Sequence, residues 1–150
     1  MNKDYKDNLI FKLLPPFTHS YLSLIRLDKP VGFLLLFYPI GFVLASSGNI
    51  ASNNVLVLFL MFFLGSIIMR SAGCIVNDLI DTDIDKKVIR TKGRALASSK
   101  ISIKNALIFL LALLVIGFLI LIQLNYEAII LGIVITPLIA LYPLAKRFFI

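Results

Sequence analysis

Apolar residues run along this chain in long stretches, and charge is almost confined to the gaps between them. Four stretches, at about 31–47, 55–76, 106–124 and 128–144, each hold about 17–22 residues, the length an α-helix needs to cross a bilayer. Pro39 and Pro137 fall inside the first and fourth stretches, where a bilayer helix kinks rather than breaks. Ahead of them, the segment 18–27 sets Tyr21, Leu22, Leu24 and Ile25 among polar residues, which reads as a short interfacial helix. The pattern predicts an all-α fold, a multi-span transmembrane helical bundle with four spans, in a single membrane domain over 1–150. A long polar loop, 77–105, joins the second span to the third.

Composition agrees with lipid as the main solvent. The chain has 150 residues, 59% of them hydrophobic, and a mean hydropathy of +0.96, more apolar surface than a soluble domain of this size could hide. The 15 Lys and Arg against 8 Asp and Glu give a net charge of +7, and the placement of that charge is informative. Arg70 alone among the basic residues lies inside a span. The others precede the first span, lie between the second and third, or follow the fourth, while 48–54 and 125–127 hold none. By the positive-inside rule both termini and the 77–105 loop are cytoplasmic. Orientation and attraction to anionic lipid account for most of the basic excess, and no soluble module is present to read nucleic acid. A lone cysteine, Cys74, excludes an internal disulfide and argues against a cysteine-based metal site. The first thirty residues have no signal-peptide pattern.

Candidate chemistry concentrates where the second span ends. Asp78, Asp81, Asp83 and Asp85 are half of the eight acidic residues, and Asn77 stands directly before them. If the helix continues past Val76, a rotation of about 100° per residue puts Asn77, Asp78, Asp81 and Asp85 on one face and turns Asp83 away. Hard oxygen donors in that number suit Mg²⁺, which keeps several waters and bridges one or two carboxylates to substrate phosphates; zinc would want His or Cys. Carboxylates at a helix C-terminus oppose the macrodipole, so capping does not explain them. Lys86, Lys87, Arg90, Lys92 and Arg94 follow at once, and cations beside metal-binding carboxylates suit a diphosphate. Arg70 lies on the carboxylate face, about 12 Å deeper along the helix. Inside a membrane it needs a partner or a wet cavity, either a structural ion pair or a cation waiting for an anionic acceptor.

The run from Arg70 through Asn77-Asp78-x-x-Asp81-x-x-x-Asp85 to Arg90-Thr-x-x-Arg94 resembles the first aspartate-rich signature of the UbiA-type intramembrane prenyltransferases. Upstream Arg26-Leu-Asp-Lys-Pro-Val-Gly32 and downstream Tyr142-Pro-x-x-Lys146-Arg147 are similar to flanking motifs of that family, so the likeness covers nearly all the chain from Tyr21. It is strongest to members that prenylate 4-hydroxybenzoate in ubiquinone synthesis. The resemblance implies a bacterial inner-membrane enzyme, with polyprenyl diphosphate and 4-hydroxybenzoate as substrates and Mg²⁺ as cofactor. Asn77, Asp78, Asp81 and Asp85 would form the first metal arm, with the three aspartates catalytic. Arg90, Arg94, Lys146 and Arg26 would bind diphosphate, and Arg70 the acceptor. An apolar channel between helices would hold the prenyl tail.

Two departures matter. Ala95 stands where the family has proline, a change that loosens the loop. More seriously, the family's nine-helix fold carries a second aspartate-rich motif in a later loop, and beyond Asp85 this chain's only acid is Glu127. The chain therefore reads as the N-terminal half, inactive alone, with a separate C-terminal half as the partner that carries the second arm. The competing reading is a non-catalytic membrane remnant of a split or decayed prenyltransferase. A CDP-alcohol phosphotransferase would want Gly-x-x-Ala-Arg after its first aspartate pair, and residues 82–86 here are Thr-Asp-Ile-Asp-Lys.

Overall fold

The computed structural model describes residues 15–46 and 53–148, with side chains described for 15–46, 54–139 and 141. Within these the regular structure is all helical. A single 3₁₀ turn (Pro16–Thr18) leads into α1 (His19–Leu24), followed by α2 (Val31–Ser46), α3 (Asn53–Lys87), α4 (Ile103–Leu121) and α5 (Tyr126–Phe148).

The four long helices fall on the four predicted stretches, with boundaries set by local polar groups. Ser102, in extended conformation, accepts a hydrogen bond from the Asn105 N–H at 3.2 Å and starts α4 ahead of the apolar run. The Asn125 side chain does the same for the Ala128 N–H at 3.2 Å, opening α5. Ser102→Ala is expected to lower stability by about 1 kcal/mol, measured by denaturant titration in micelles. An unchanged midpoint would show that packing alone holds the start of α4. Helix α2 passes through Pro39 without ending. By length and composition α3 and α4 are long and apolar enough to cross a membrane; α2 is a shorter apolar helix of 16 residues, and the side-chain-described part of α5, Tyr126–Ile139, is apolar throughout most of its length.

The largest difference from the expected layout lies at 77–105. Residues 77–87 contain neither Gly nor Pro, and α3 continues through the aspartate run to Lys87, leaving only 88–102 as loop. At 35 residues α3 is about 52 Å long, well beyond a hydrocarbon core of about 30 Å, so its carboxylate end projects from the apolar layer.

Helix α3 touches every other helix. Edge-to-face ring pairs Phe33–Phe63 (5.9 Å) and Phe37–Phe59 (4.8 Å) run in opposite chain directions, so α2 and α3 are antiparallel. On α4, Ala106 shares a buried cluster with Ile75, and Gly117 faces Ile68 and Met69, again antiparallel to α3. The aspartate end of α3 therefore lies with α1, the starts of α2 and α4, and the 88–102 loop at one end of the bundle. Leu24, Ile75, Ala95, Leu96, Ile101 and Ala106 seal that end, and Tyr21 packs edge-on against Phe109 at 5.3 Å. Ala95 is buried in that loop, and its carbonyl accepts from the N–H groups of Lys100 and Ile101 at 3.0 and 3.3 Å. Along the rest of α4 and α5, large apolar side chains such as Leu111, Phe118, Leu131 and Leu138 are exposed, as lipid-facing surface requires.

Candidate functional site

Two of the three predicted face carboxylates are drawn together by one arginine. Asp78 and Asp85 lie seven residues apart on α3, and both are buried. Arg94 returns from the loop and donates from Nη1 to Asp85 Oδ2 at 2.6 Å and to Asp78 Oδ1 at 3.3 Å. Arg26 Nη2 reaches the same Asp78 oxygen at 2.6 Å from the other side. Asp78 is thus held between cations from two distant segments, and the cluster has two carboxylates and two guanidinium groups.

Both arginines are aimed by local backbone geometry. Arg26 follows α1 with φ 54°, in the left-handed region that a non-glycine residue enters at a cost. Its N–H donates to the Ser23 carbonyl at 3.3 Å and the Leu27 N–H to the Leu22 carbonyl at 3.2 Å, the pair of bonds that closes a left-handed helix cap. Glycine usually takes that position; here the Asp78 ion pair offsets the strain of arginine. Arg94 is turned back by Thr91. The buried Thr91 hydroxyl donates to the Asp85 carbonyl at 3.2 Å, satisfying an orphan acceptor at the end of α3, and the Thr91 carbonyl accepts from the Arg94 N–H at 2.9 Å. The sequence reading missed Thr91. Its signal is one short β-branched hydroxyl in an otherwise basic stretch directly after a helix end.

The remaining predicted residues separate by position. Asn77 and Asp81 are half-buried on α3 near Asp78 in sequence. Asp83 is exposed and accepts from the Lys86 ammonium at 3.1 Å, in keeping with its turning away. Arg90 is exposed, and among the described residues no ion pair joins it to the carboxylates. Lys146 lies outside the residues whose side chains are described. Arg70 is exposed on α3, its guanidinium lying against Gly32 at the start of α2. Cys74, on the helix between them, is buried.

Burial pushes the Asp78 carboxyl above the ordinary value of 3.8, and the nearby Arg26 and Arg94 guanidinium groups pull it down without cancelling the effect. A carboxyl raised by folding contributes stability that is full below its unfolded value and is lost as pH rises through its folded value. A ¹³C-carboxyl titration of labelled chain is therefore expected to find Asp78 above 3.8, and higher still in Arg26→Met. A titration at or below the ordinary value would contradict the burial seen here.

Among the described residues no group of three or more His, Cys, Asp or Glu side chains converges closely enough to hold a metal. The donors are nonetheless hard carboxylate oxygens, and Mg²⁺ commonly takes only one or two from protein while phosphates and waters complete its shell. The donor set fits Mg²⁺ on those terms, with phosphate oxygens as co-ligands. The two best-formed clefts, of about 350 and 230 Å³, lie elsewhere: one beside Tyr21 and Phe109, the other between Gly41 and Phe59. Neither is lined by the carboxylates, whose side chains are buried under Arg26 and Arg94 at the end of the bundle.

Comparison with known proteins bears on this cluster. The sequence pattern of the UbiA prenyltransferase family matches residues 34–150. The chain is 45% identical over 130 residues to a mitochondrial 4-hydroxybenzoate polyprenyltransferase of Drosophila pseudoobscura pseudoobscura, covering 87% of this chain and 33% of the relative. It is 42% identical over 134 residues to the mitochondrial 4-hydroxybenzoate polyprenyltransferase of Caenorhabditis elegans, covering 89% and 38%. Against the 4-hydroxybenzoate octaprenyltransferase of Haemophilus ducreyi it is 42% identical over 128 residues, covering 85% and 45%. The chain thus spans from about a third to under half of the length of these relatives. No solved structure matches it.

Proposed function

Since the chain belongs to the UbiA prenyltransferase family, we propose that it supplies the first carboxylate arm of an enzyme that moves a polyprenyl group from its diphosphate to the ring of 4-hydroxybenzoate. The observation that carries the reading is the Arg26–Asp78–Arg94–Asp85 cluster at the end of an apolar bundle. It sets anionic oxygens for a cation beside forked donors for phosphate, directly next to a phase that dissolves a prenyl tail.

In this reading Asp78, Asp81 and Asp85, with Asn77, would hold Mg²⁺, and the bound ion would supply positive charge to the departing diphosphate. Arg94 and Arg26, paired to carboxylates in the resting chain, turn donors toward phosphate oxygens as substrate enters. Arg90 reaches the outer phosphate from the loop, and Lys146 is a further diphosphate ligand by the family resemblance alone. Heterolysis of the allylic C–O bond leaves its electron pair on the diphosphate oxygen. The electron-rich ring carbon of the acceptor attacks the allylic cation, and the ring then loses a proton to the released diphosphate, which restores aromaticity. Arg70, deeper along α3, pairs with the acceptor carboxylate. The aspartate end faces the cytoplasm of a bacterial inner membrane, and a segment outside these 150 residues supplies the opposing aspartate-rich arm.

The test is an assay in membranes containing Mg²⁺, a polyprenyl diphosphate and labelled 4-hydroxybenzoate. Prenylated acid is expected when the chain is co-expressed with the C-terminal region of a relative, and little or none from the chain alone. No product from the pair would refute the proposed reaction and favour an idle membrane remnant. Turnover by the chain alone would refute the need for a second arm.

A further inference from the structure

The contact between Gly32 and Arg70 singles out a residue to which the reaction scheme gives no part. A Cβ built on Gly32 would lie 2.6 Å from Arg70 Nε, 3.2 Å from Nη2 and 3.3 Å from Cζ. The guanidinium therefore rests against Gly32, one of two α2 positions without a side chain; the other, Gly41, faces Phe37 instead. Among the described residues no carboxylate lies within ion-pair distance of Arg70, although it sits about two turns below Asp78 on a helix that crosses the membrane. An arginine at that depth needs a partner or a wet cavity, and Arg70 is exposed on α3, where a ligand can reach it. The residues one turn away on its face of α3 are Ser66, Ile67, Gly73 and Cys74, small or apolar apart from one hydroxyl, so the matching ligand carries one anionic group on a largely apolar body.

We propose that Gly32 is a positioning residue for Arg70, and that the guanidinium seated on it is the carboxylate subsite for an aromatic acid. This rests on the reading of Arg70 as the acceptor anchor and adds what holds it there. Any side chain at 32 would meet the flexible end of Arg70 before any backbone, so the expected response is a displaced guanidinium in an otherwise unchanged helix. Gly65 provides the contrast, because a Cβ there meets nothing within 4 Å.

The experiment is equilibrium dialysis of labelled 4-hydroxybenzoate against the full chain in lipid nanodiscs, with benzoate, phenol and inorganic diphosphate as competitors. Benzoate is expected to compete and phenol to fail, since the carboxylate is what Arg70 reads. Gly32→Ala should weaken binding at least about tenfold, the scale of a lost charge-assisted hydrogen bond, and Arg70→Met at least as much. Because the glycine acts through the arginine, the double variant should bind no worse than Arg70→Met alone. Gly65→Ala should bind as wild type. Additive losses in the double variant would overturn the positioning role, as would normal binding by Gly32→Ala, or a loss that accompanies unfolding in circular dichroism. Displacement by diphosphate but not benzoate, or no binding by wild type, would overturn the carboxylate subsite. Mg²⁺-dependent binding of a prenyl diphosphate, measured on the same preparations, reports on the proposed reaction separately, because it depends on Asp78 and not on Gly32.

Discussion

Asp78→Asn is expected to lower Mg²⁺-dependent product formation by about 10²–10³-fold in the assembled enzyme, the scale seen when one group that stabilises developing charge is removed. Asp78 stands out among the carboxylates because both arginines meet on one of its oxygens, Arg26 at 2.6 Å and Arg94 at 3.3 Å. The amide keeps the shape and can still accept from one arginine, but it removes the anion that would face a divalent cation. The loss should therefore appear mainly in turnover, with helicity preserved. An assay of labelled prenylated acid across a Mg²⁺ titration measures it directly. Activity within a few-fold of wild type would show that Asp78 is a structural ion-pair member only, and Asp81 would inherit the metal role.

Arg94→Met is expected to have the largest effect on the fold. The side chain is partly exposed, but its two partners are not: the Asp78 and Asp85 side chains retain 4% and 8% of their exposure. Removing one member of a buried pair costs about 3–5 kcal/mol where burial is complete, because the other charge is left uncompensated. With Arg94 open to solvent and Asp78 still paired to Arg26, about 2–3 kcal/mol is the better expectation. Thermal unfolding in micelles measures it. Adding Asp85→Asn should recover much of the loss, since no unpaired carboxylate then remains at that position. If the two substitutions instead destabilise additively, Arg94 supports the loop by packing and the ion pair contributes little. The Thr91 bonds to the Asp85 carbonyl and the Arg94 N–H are made with backbone and stay in place in both variants, so the comparison isolates the side-chain ion pair.

Much of this architecture is legible in one dimension for definite reasons. A bilayer leaves backbone groups no water to bond, so each long apolar run must be a helix, and its ends fall near the first charges. The short helix before the spans, His19–Leu24, and the outward turn of Asp83 follow from spacing in the same way. Less legible was where α3 stops. A polar run after a span looks like loop by composition, yet 77–87 contains nothing that breaks a helix, and ion pairs from elsewhere hold it. The partners of the carboxylates were also out of reach. Spacing placed three of them on one face, but it could not show that Arg94 joins two while Arg26 arrives from 52 residues away.

What the sequence determined by itself is therefore the class, the helices and the face. It makes an all-helical membrane chain, with carboxylates and cations gathered at one end of one helix, because bilayer thickness and helical pitch are fixed lengths. Only tertiary structure decided which cation meets which carboxylate, that Arg26 takes a left-handed turn to do so, and that Gly32 makes room for Arg70. Those contacts join segments far apart in the chain. They depend on how α1 and the 88–102 loop pack against α3, which hydropathy and spacing do not encode.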